Sequence, residues 1–262
     1  MKKLSFIALL LASIGIFVGC QKEDTLKMGM ASEFPPFEYK EGKNFKGIDI
    51  EITSEIAKRM GKKIEFVDME FDSVLSSLNS GNVDFSASGL TINAIRSKIV
   101  DFSMPYFNAA QVVVIRKNTF EDLKNVSDDR DALIALIDKK QKLKIGVLTG
   151  TTGSFYTKGD SNWGFKGFKN ADVKNFVNGS VAFNALENKQ IDIIILDEMP
   201  GRLLSKANGN TEVLSASLTD EKYGIAVKKG NKELLDSINI HLDAMRKDGS
   251  LDKIIAKYFS GN

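Results

Sequence analysis

Residues 191–197 read Ile-Asp-Ile-Ile-Ile-Leu-Asp, and this stretch decides the fold class. The apolar run from Ile191 to Leu196 is what we expect of a strand that is buried on both faces inside a covered parallel sheet. Helical patterns flank this run at 180–188 and 200–207. A buried strand between two helices predicts an α/β fold with parallel strands.

Strands and helices alternate along the rest of the chain in two similar runs. In the first run we expect strands at 26–31, 63–69, 83–87 and 112–116, and helices at 48–60, 71–78 and 91–99. In the second run we expect strands at 143–148, 191–196 and 223–227, helices at 180–188 and 200–207, and one or two helices over 232–259, broken at Asp248-Gly249. These patterns indicate two α/β units rather than one sheet.

The composition excludes several classes of function. The chain has 262 residues and a formal net charge of +2, so no basic excess points to nucleic acid. The single cysteine excludes an intramolecular disulfide and a cysteine-based metal site, and the single histidine excludes a two-histidine zinc motif. We therefore expect no metal, no cofactor and no nucleic-acid partner.

The N-terminal residues have the pattern of an export signal. Two lysines precede the uncharged apolar run Leu4–Val18, which is short for a membrane span and typical of a signal peptide over 1–19. Phe17-Val18-Gly19-Cys20 resembles a bacterial lipobox, with Phe17 where leucine is usual. This predicts lipidation of Cys20, a tether over 20–24 and an anchored, extracytoplasmic protein of the cell envelope. The alternative is a plain signal peptide with an incidental cysteine.

Three of the predicted strands end in short polar residues, at 86–93, 149–154 and 197–198. Ligands of α/β proteins bind outside the carboxyl ends of parallel strands. We therefore expect the three strand exits to line one cleft if the two units face each other. Residues 149–154 lack the spacing and the lysine of a phosphate-binding loop, which leaves a small anion but no nucleotide as their ligand.

Arg96 and Asp197 are the charged candidates at these strand exits. The guanidinium of Arg96 can bind a carboxylate bidentately, with the hydroxyl of Thr91 and nearby amides completing the site. The alternative is that Thr91 caps a helix and Arg96 is a solvated helix charge. The carboxylate of Asp197 can meet a substrate ammonium group, or it can cap the helix that begins near Glu198, and the two roles are compatible.

Aromatic side chains are the candidate walls of the cleft. In Glu33-Phe34-Pro35-Pro36-Phe37, two prolines stiffen the loop and fix its aromatic residues at low entropic cost. Phe71 is a second candidate wall, although most of the 17 phenylalanines are expected in the core. Trp163 lies in a glycine-rich loop over 160–168, and the pattern assigns it no role.

A set of motifs follows in order along residues 25–260. It consists of Phe34-Pro35-Pro36-Phe37, Gly47-Ile48-Asp49-Ile50-Glu51-Ile52, Phe71-Asp72, Gly89-Leu90-Thr91-Ile92 with Arg96, Val100-Asp101-Phe102-Ser103 with Pro105-Tyr106, Ile145-Gly146-Val147, Gly150-Thr151-Thr152, Asp197, Tyr223-Gly224-Ile225-Ala226-Val227 and Asp248-Gly249-Ser250-Leu251. As a set, these motifs resemble the periplasmic amino-acid-binding proteins, the family 3 solute-binding components of polar amino-acid ABC importers.

The resemblance implies a two-lobed type II periplasmic-binding-protein fold with two crossover strands as a hinge. Lobe 1 would comprise residues 25–110 and 221–262, and lobe 2 would comprise residues 111–220. A free L-amino acid with a polar or small side chain would lie between the lobes, and its binding would favour their closure.

The resemblance also implies a role for individual residues. Arg96 would bind the α-carboxylate of the amino acid, and Asp197 would bind its α-ammonium group. The other implied ligand-binding residues are Thr91, the Gly89 amide and Thr152 beside the carboxylate, Phe34 and Phe71 around the side chain, and Ser88, Thr151 and Glu33. Ala31 and Leu148 depart from the residues expected for a basic side chain, and Glu33 would then supply the acid instead.

The implied partners are an ABC permease with its ATPase, and we expect a monomer that is not an enzyme. Three alternatives remain open on the sequence. The first is a periplasmic enzyme similar to cyclohexadienyl dehydratases, with Glu33 or Glu198 as the acid–base group. The second is an amino-acid-sensing lipoprotein that signals through a partner, and the third is a purely structural lipoprotein.

Overall fold

The computed structural model describes residues 24–259. The predicted signal peptide over 1–19, the lipidation site Cys20 and all of the tether except Asp24 lie outside the described residues. Within the described part of the chain, none of the helices combines the length and the apolar content that a membrane crossing requires.

The described residues form strands and helices that alternate along much of the chain. The strands are β1 (Thr25–Met30), β2 (Glu33–Phe34), β3 (Glu38–Glu41), β4 (Asn44–Lys46), β5 (Lys63–Asp68), β6 (Phe85–Ser86), β7 (Val100–Phe102), β8 (Phe107–Ala109), β9 (Gln111–Arg116), β10 (Lys144–Leu148), β11 (Asp172–Phe176), β12 (Ile193–Asp197), β13 (Thr211–Val213), β14 (Glu221–Tyr223) and β15 (Ala226–Lys228). The helices are α1 (Ile48–Arg59), α2 (Phe71–Ser80), α3 (Glu121–Lys124), α4 (Arg130–Lys139), α5 (Thr152–Lys158), α6 (Gly179–Glu187), α7 (Glu198–Asn208), α8 (Lys232–Lys247) and α9 (Ser250–Lys257), and a 3₁₀ turn covers Arg96–Lys98.

The first sheet has the strand order β5-β1-β6-β15-β7. Strand β1 runs parallel to β5 and β6, whereas β15 runs antiparallel to β6 and β7. Met28 and Met30 point into a core shared with α1, α8 and α9, and the opposite face packs on Val74 and Leu78 of α2. Helices therefore cover both faces of this sheet, as the α/β class requires.

The second sheet has the strand order β11-β10-β12-β9-β13, with β12 at its centre. Ile193 and Ile195 point into the core beneath α4, and Ile194 and Leu196 point into the core beneath α6. All four side chains are fully or almost fully buried. The strand predicted over 191–196 is thus confirmed as β12, which covers Ile193–Asp197 and has helices on both of its faces.

The chain crosses between the two sheets twice. Strand β8 leads from the first sheet to the second, and β14 leads back. The two crossover strands pair with each other antiparallel, with Phe107 opposite Tyr223. This confirms the predicted two-lobed α/β fold with two crossover strands. The lobe boundaries at residues 110 and 220 remain predictions, and below, lobe 1 and lobe 2 are the units that contain the first and the second sheet.

Two expectations about the strands are wrong. Both sheets are mixed rather than parallel, because β9 and β15 run antiparallel to their neighbours. The predicted strand over 223–227 is divided between the hinge strand β14 and β15 of the first sheet. The division falls at Gly224, whose N–H donates to the carbonyl of Leu90 and which leaves no room for a Cβ beside Ile92.

The predicted helix over 91–99 is also wrong, because only the 3₁₀ turn Arg96–Lys98 forms. Thr91 forms a β-bridge with Tyr223 of the hinge and so cannot enter a helix. The side chain of Asn93 then accepts hydrogen bonds from the backbone N–H groups of Ile95 and Arg96, which starts the chain on a tight turn instead.

Candidate ligand-binding site

A small cavity lies between the two sheets at the ends of β1, β6, β10 and β12. It is lined from lobe 1 by Ala31, Glu33, Phe34, Phe71, Gly89, Thr91 and Arg96, and from lobe 2 by Leu148, Thr149, Thr151, Thr152, Val177, Asn178 and Asp197. Its volume, counted as the space open to the centre of a water molecule, is ≈ 40 Å³. All three predicted strand exits contribute side chains, so the expected common cleft is present.

Arg96 is buried at this cavity, with only 5% of its surface exposed. The guanidinium donates from Nη1 to the carbonyl of Thr91 and from Nη2 to the carbonyl of Gly150, both at 3.1 Å. The second bond crosses from lobe 1 to lobe 2. Burial lowers the pKa of Arg96 to about 10, so the side chain is still charged at neutral pH.

The positive charge of Arg96 has no ion-pair partner among residues 24–259, because both of its hydrogen bonds go to neutral carbonyls. Glu221 and Asp197 act on it only through space. A buried charge without a partner is unfavourable. Removing one partner of a buried ion pair, for example, typically lowers the stability of a protein by several kcal/mol. The remaining N–H donors of the guanidinium are therefore suited to an anionic group that enters the cavity.

Two aromatic rings contact the guanidinium of Arg96. Its Cζ atom lies 5.6 Å from the ring centroid of Phe71 and 5.3 Å from that of Trp163. Phe71, a predicted wall of the cleft, is the first residue of α2 in lobe 1. Trp163 belongs to lobe 2. The sequence pattern assigns no role to Trp163. The one feature that distinguishes it in the sequence is that the chain has no other tryptophan.

Asp197 ends the central strand β12 and is also buried, with 4% exposure. It stands at the first position before α7, but its side chain makes no capping bond there and instead accepts a hydrogen bond from the hydroxyl of Tyr223. Burial, and next the charge of Glu221, raise the pKa of Asp197 to about 7. A cation in the cavity would therefore stabilise its ionised form.

A chain of hydroxyl groups connects the lobes beside Arg96. Thr152 Oγ1 of lobe 2 donates to Thr91 Oγ1 of lobe 1 at 3.0 Å, and Thr91 Oγ1 donates to the carboxylate of Glu221 at 2.7 Å. Glu221 also accepts from Gln111 Nε2 and from Thr219 Oγ1. Glu221 is a buried hinge carboxylate that the sequence analysis missed, because nothing in its local pattern distinguishes it from a solvated surface charge.

Thr151 lines the cavity but is committed to the local fold. It precedes α5, donates from Oγ1 to the carbonyl of Leu148 at 2.7 Å and accepts the backbone N–H of Ser154. This is the arrangement of a helix N-cap. The side chain that reaches across the cavity from this segment is that of the next residue, Thr152.

The loop after β1 forms the outer wall of the cavity. Phe34 stacks on Phe37 at 5.8 Å, and its ring closely approaches Gly89, where an added Cβ would lie 2.6 Å from the ring. Glu33 is exposed and also borders an adjoining space of ≈ 400 Å³, together with Asp68 and Glu70. Asp68 is paired with Lys40, so Glu33 and Glu70 are the residues that make the outer end of the site acidic.

Two predicted contacts are not available to a ligand in this structure. Ser88 lies behind the cavity wall, where it donates to Glu38 at 2.6 Å and accepts the N–H of Ala31. The Gly89 amide donates to Asp49 at 2.9 Å. The physical reason is that Glu38 and Asp49 are fully buried carboxylates that need donors, and Ser88 and Gly89 are the donors they have.

A larger groove of ≈ 1050 Å³ lies elsewhere between the lobes, along the hinge strands. It shares only Thr91 and Thr152 with the cavity and does not include Arg96 or Asp197. Within residues 24–259, no cluster of three or more histidine, cysteine, aspartate or glutamate side chains is placed to hold a metal ion. The smaller cavity is lined by a buried cation and a buried carboxyl group, Arg96 and Asp197, whereas the larger groove has Glu221 as its one buried charged residue among the described residues.

Comparison with known proteins identifies the family. The family described as bacterial extracellular solute-binding proteins, family 3, matches residues 26–261. The chain is 35% identical over 233 residues to the probable histidine-binding protein of Neisseria gonorrhoeae, an alignment that covers 87% of this chain and 81% of the relative.

Two further similarities extend over nearly the whole chain. The chain is 30% identical over 265 residues to the ABC transporter arginine-binding protein 1 of Escherichia coli (strain K12), which covers 99% of both proteins. The structure of an ancestral arginine-binding protein bound to arginine is similar with a TM-score of 0.77 and 36% identity, covering 90% of this chain and 99% of that one. The chain therefore belongs to the bacterial extracellular solute-binding proteins of family 3.

Proposed function

We propose that this protein captures a free L-amino acid between its two lobes and delivers it to an ABC importer. The observation that carries the proposal is the pair of opposite buried charges, Arg96 and Asp197, on one cavity. At neutral pH a free α-amino acid carries a carboxylate and an ammonium group, so one molecule supplies a partner for each.

In the proposed complex, Arg96 binds the α-carboxylate, with the hydroxyls of Thr91 and Thr152 beside it, and Asp197 binds the α-ammonium group. Each charge-assisted hydrogen bond contributes about 1.5–3 kcal/mol. Several of them, with burial of the ligand side chain, are sufficient for micromolar affinity, which corresponds to about −8 kcal/mol. The Gly89 amide has no part in this arrangement, because it donates to Asp49.

The ligand side chain lies between Phe34 and Phe71 and points towards Glu33 and Asn178 in this proposal. Glu33 and Asn178 line both the cavity and the adjoining space of ≈ 400 Å³. The arrangement favours a polar side chain over a large apolar one. The relatives named for histidine and arginine support the same conclusion.

Delivery to a permease and its ATPase is supported by the relative named as an ABC transporter component. The lipobox-like residues ending at Cys20 support an anchor that keeps the protein at the cell envelope. The named relatives are binding proteins rather than enzymes. Of the two residues that could serve as the acid–base group of an enzyme, Glu33 lines the cavity and Glu198 does not. Glu198 instead pairs with Arg202 at 2.8 Å on α7.

A thermal-shift panel of the twenty L-amino acids, ornithine and cystine tests the proposal. A bound amino acid stabilises the folded protein by RT ln(1 + [L]/Kd), which is about 2.7 kcal/mol at a concentration of 100 times Kd. We expect a clear shift for one polar amino acid or a small group of them. No shift with any member of the panel would contradict amino-acid binding, and turnover of a prephenate-like acid would support the enzyme alternative.

A further inference from the structure

We infer that Trp163 is a positioning residue for Arg96, and that its ring reaches across from lobe 2 to hold the carboxylate-binding guanidinium of lobe 1. The inference rests on the proposed function, since it concerns the group that we expect to bind the α-carboxylate. It begins from the contact of 5.3 Å between Arg96 Cζ and the centroid of the Trp163 ring.

The loop that carries Trp163 is tightly closed at its base. After α5, the backbones of Gly159 and Gly167 approach each other so closely that a Cβ on Gly167 would lie 2.4 Å from the nitrogen of Gly159. Asp160 pairs with Phe165, and its side chain accepts the N–H of Asn162 at 2.8 Å. These contacts fix the conformation of the loop, and the N–H of Phe168 ties its end to α5 by donating to the carbonyl of Thr157 at 2.9 Å.

The Trp163 ring is supported from its own lobe. It stacks on Phe155 of α5 with a centroid separation of 4.6 Å and an interplanar angle of 18°, and its centroid lies 6.0 Å from that of Phe165. Ring stacking of this kind restricts the orientation of the indole. The indole is therefore already held in place by lobe 2 where it meets Arg96.

An aromatic ring can compensate the charge of Arg96 in a way that a carboxylate cannot. The cation–π attraction acts between the guanidinium and the face of the ring and is strongest when the cation is desolvated, as the 5% exposure of Arg96 indicates. It requires no acceptor atom, whereas the two hydrogen bonds of the guanidinium go to the carbonyls of Thr91 and Gly150. Trp163 and Phe71 therefore stabilise the buried cation and leave its other donors for an incoming carboxylate.

The test compares the wild type with Trp163→Leu, Trp163→Phe and a control at an exposed position of the same loop, Lys166→Ala. Each protein is titrated by calorimetry with every L-amino acid of the panel that shifts the wild type. We expect Trp163→Leu to weaken binding roughly tenfold for each of these amino acids alike, because the contact concerns the carboxylate end. Trp163→Phe and Lys166→Ala should stay within about threefold of the wild type.

A second measurement needs no ligand. Trp163 is the only tryptophan of the chain, so the intrinsic emission of the wild type reports on this ring alone. We expect Arg96→Ala to change the emission spectrum of the amino-acid-free protein, whereas Arg202→Ala, on the exposed side of α7, should leave it unchanged.

The outcomes separate the two proposals. If the wild type binds amino acids but Trp163→Leu binds as tightly, or if Trp163→Phe loses as much affinity as Trp163→Leu, the inference is wrong and the proposed function stands. An emission spectrum that is insensitive to Arg96→Ala also overturns the inference. A wild type that binds no amino acid overturns the proposed function, while the emission comparison still decides whether Trp163 lies against Arg96.

Discussion

Arg96 and Asp197 are held at one cavity by a fold that makes the charge of each unfavourable. Burial lowers the pKa of Arg96 to about 10 and raises the pKa of Asp197 to about 7. The nearest hydrogen bonds do not neutralise either charge, since Arg96 bonds to carbonyls and Asp197 to the hydroxyl of Tyr223. A zwitterionic ligand therefore gains affinity at both ends from one buried site.

Replacement of Arg96 is the most direct test of this site. We expect Arg96→Ala to abolish measurable amino-acid binding while the fold is retained, because the α-carboxylate loses its charged partner. Calorimetry measures the affinity, and circular dichroism measures the fold. Arg202→Ala is the matched control, since Arg202 is an exposed arginine that pairs with Glu198. Unchanged affinity in Arg96→Ala would reject the assignment.

The affinity should also depend on pH, because the ammonium group of the ligand requires Asp197 in its ionised form. With a pKa of about 7 in the empty site, Asp197 is increasingly protonated as the pH falls, and binding must then release its proton. We expect the affinity to rise by up to about tenfold per pH unit from pH 5 to pH 7 and then to level off.

Calorimetric titrations in two buffers of different ionisation enthalpy measure the released proton directly. Below pH 7 the binding enthalpy should differ between the buffers, and at pH 8 it should not. A constant affinity between pH 5 and pH 7 would show that Asp197 does not meet the ammonium group.

At the scale of elements, the 3₁₀ turn Arg96–Lys98 decides where the guanidinium lies. Asn93 starts this turn by accepting the backbone N–H groups of Ile95 and Arg96, at 3.0 and 2.9 Å. Its amide nitrogen also donates to the carbonyl of Thr91, which itself accepts from Arg96 Nη1. One short polar side chain thus fixes both the backbone of Arg96 and one of its hydrogen-bond acceptors.

Loss of the Asn93 side chain should therefore affect stability and binding together. We expect Asn93→Ala to lower the free energy of unfolding by about 1 kcal/mol, as for other residues that cap a turn, and to weaken amino-acid binding. Chemical denaturation and calorimetry give the two values. Asn93→Asp keeps the acceptor oxygen and should retain most of both, and wild-type affinity in Asn93→Ala would mean that the turn does not position Arg96.

At the scale of the whole molecule, the lobes touch through the residues proposed to bind the amino acid. Arg96 of lobe 1 donates to Gly150 of lobe 2, and Thr152 of lobe 2 donates to Thr91 of lobe 1. An amino acid held by Arg96 and Asp197 would add contacts from both lobes. Its binding then favours the closed arrangement by the difference in affinity between the closed and open states.

Small-angle X-ray scattering tests this closure. We expect the radius of gyration of the wild type to decrease when a saturating amino acid from the thermal-shift panel is added. An amino acid that gives no thermal shift is the control and should leave the radius unchanged, as should any amino acid added to Arg96→Ala. An identical radius with and without a saturating amino acid would count against ligand-driven closure.

Local periodicity predicts correctly the elements whose apolar residues are also the residues buried in the structure. Helix α1 and strand β12 formed close to the predicted positions, because a helical face and an apolar run are visible in neighbouring residues. The helix expected over 91–99 failed because Thr91 pairs with Tyr223, which lies far away in sequence. The same long-range pairing accounts for the strand that divides at Gly224.

The sequence by itself determined the α/β class and the two units and made Arg96 and Asp197 candidates, because apolar patterning and side-chain charge are visible in neighbouring residues. Only the tertiary structure decided that the Gly89 amide is taken by Asp49 and that Trp163 meets Arg96. The physical reason is that a hydrogen bond or a ring contact depends on which group lies within a few ångströms. Asp49 and Gly89 are brought together within lobe 1, whereas two crossings between the sheets bring Trp163 of lobe 2 against Arg96 of lobe 1.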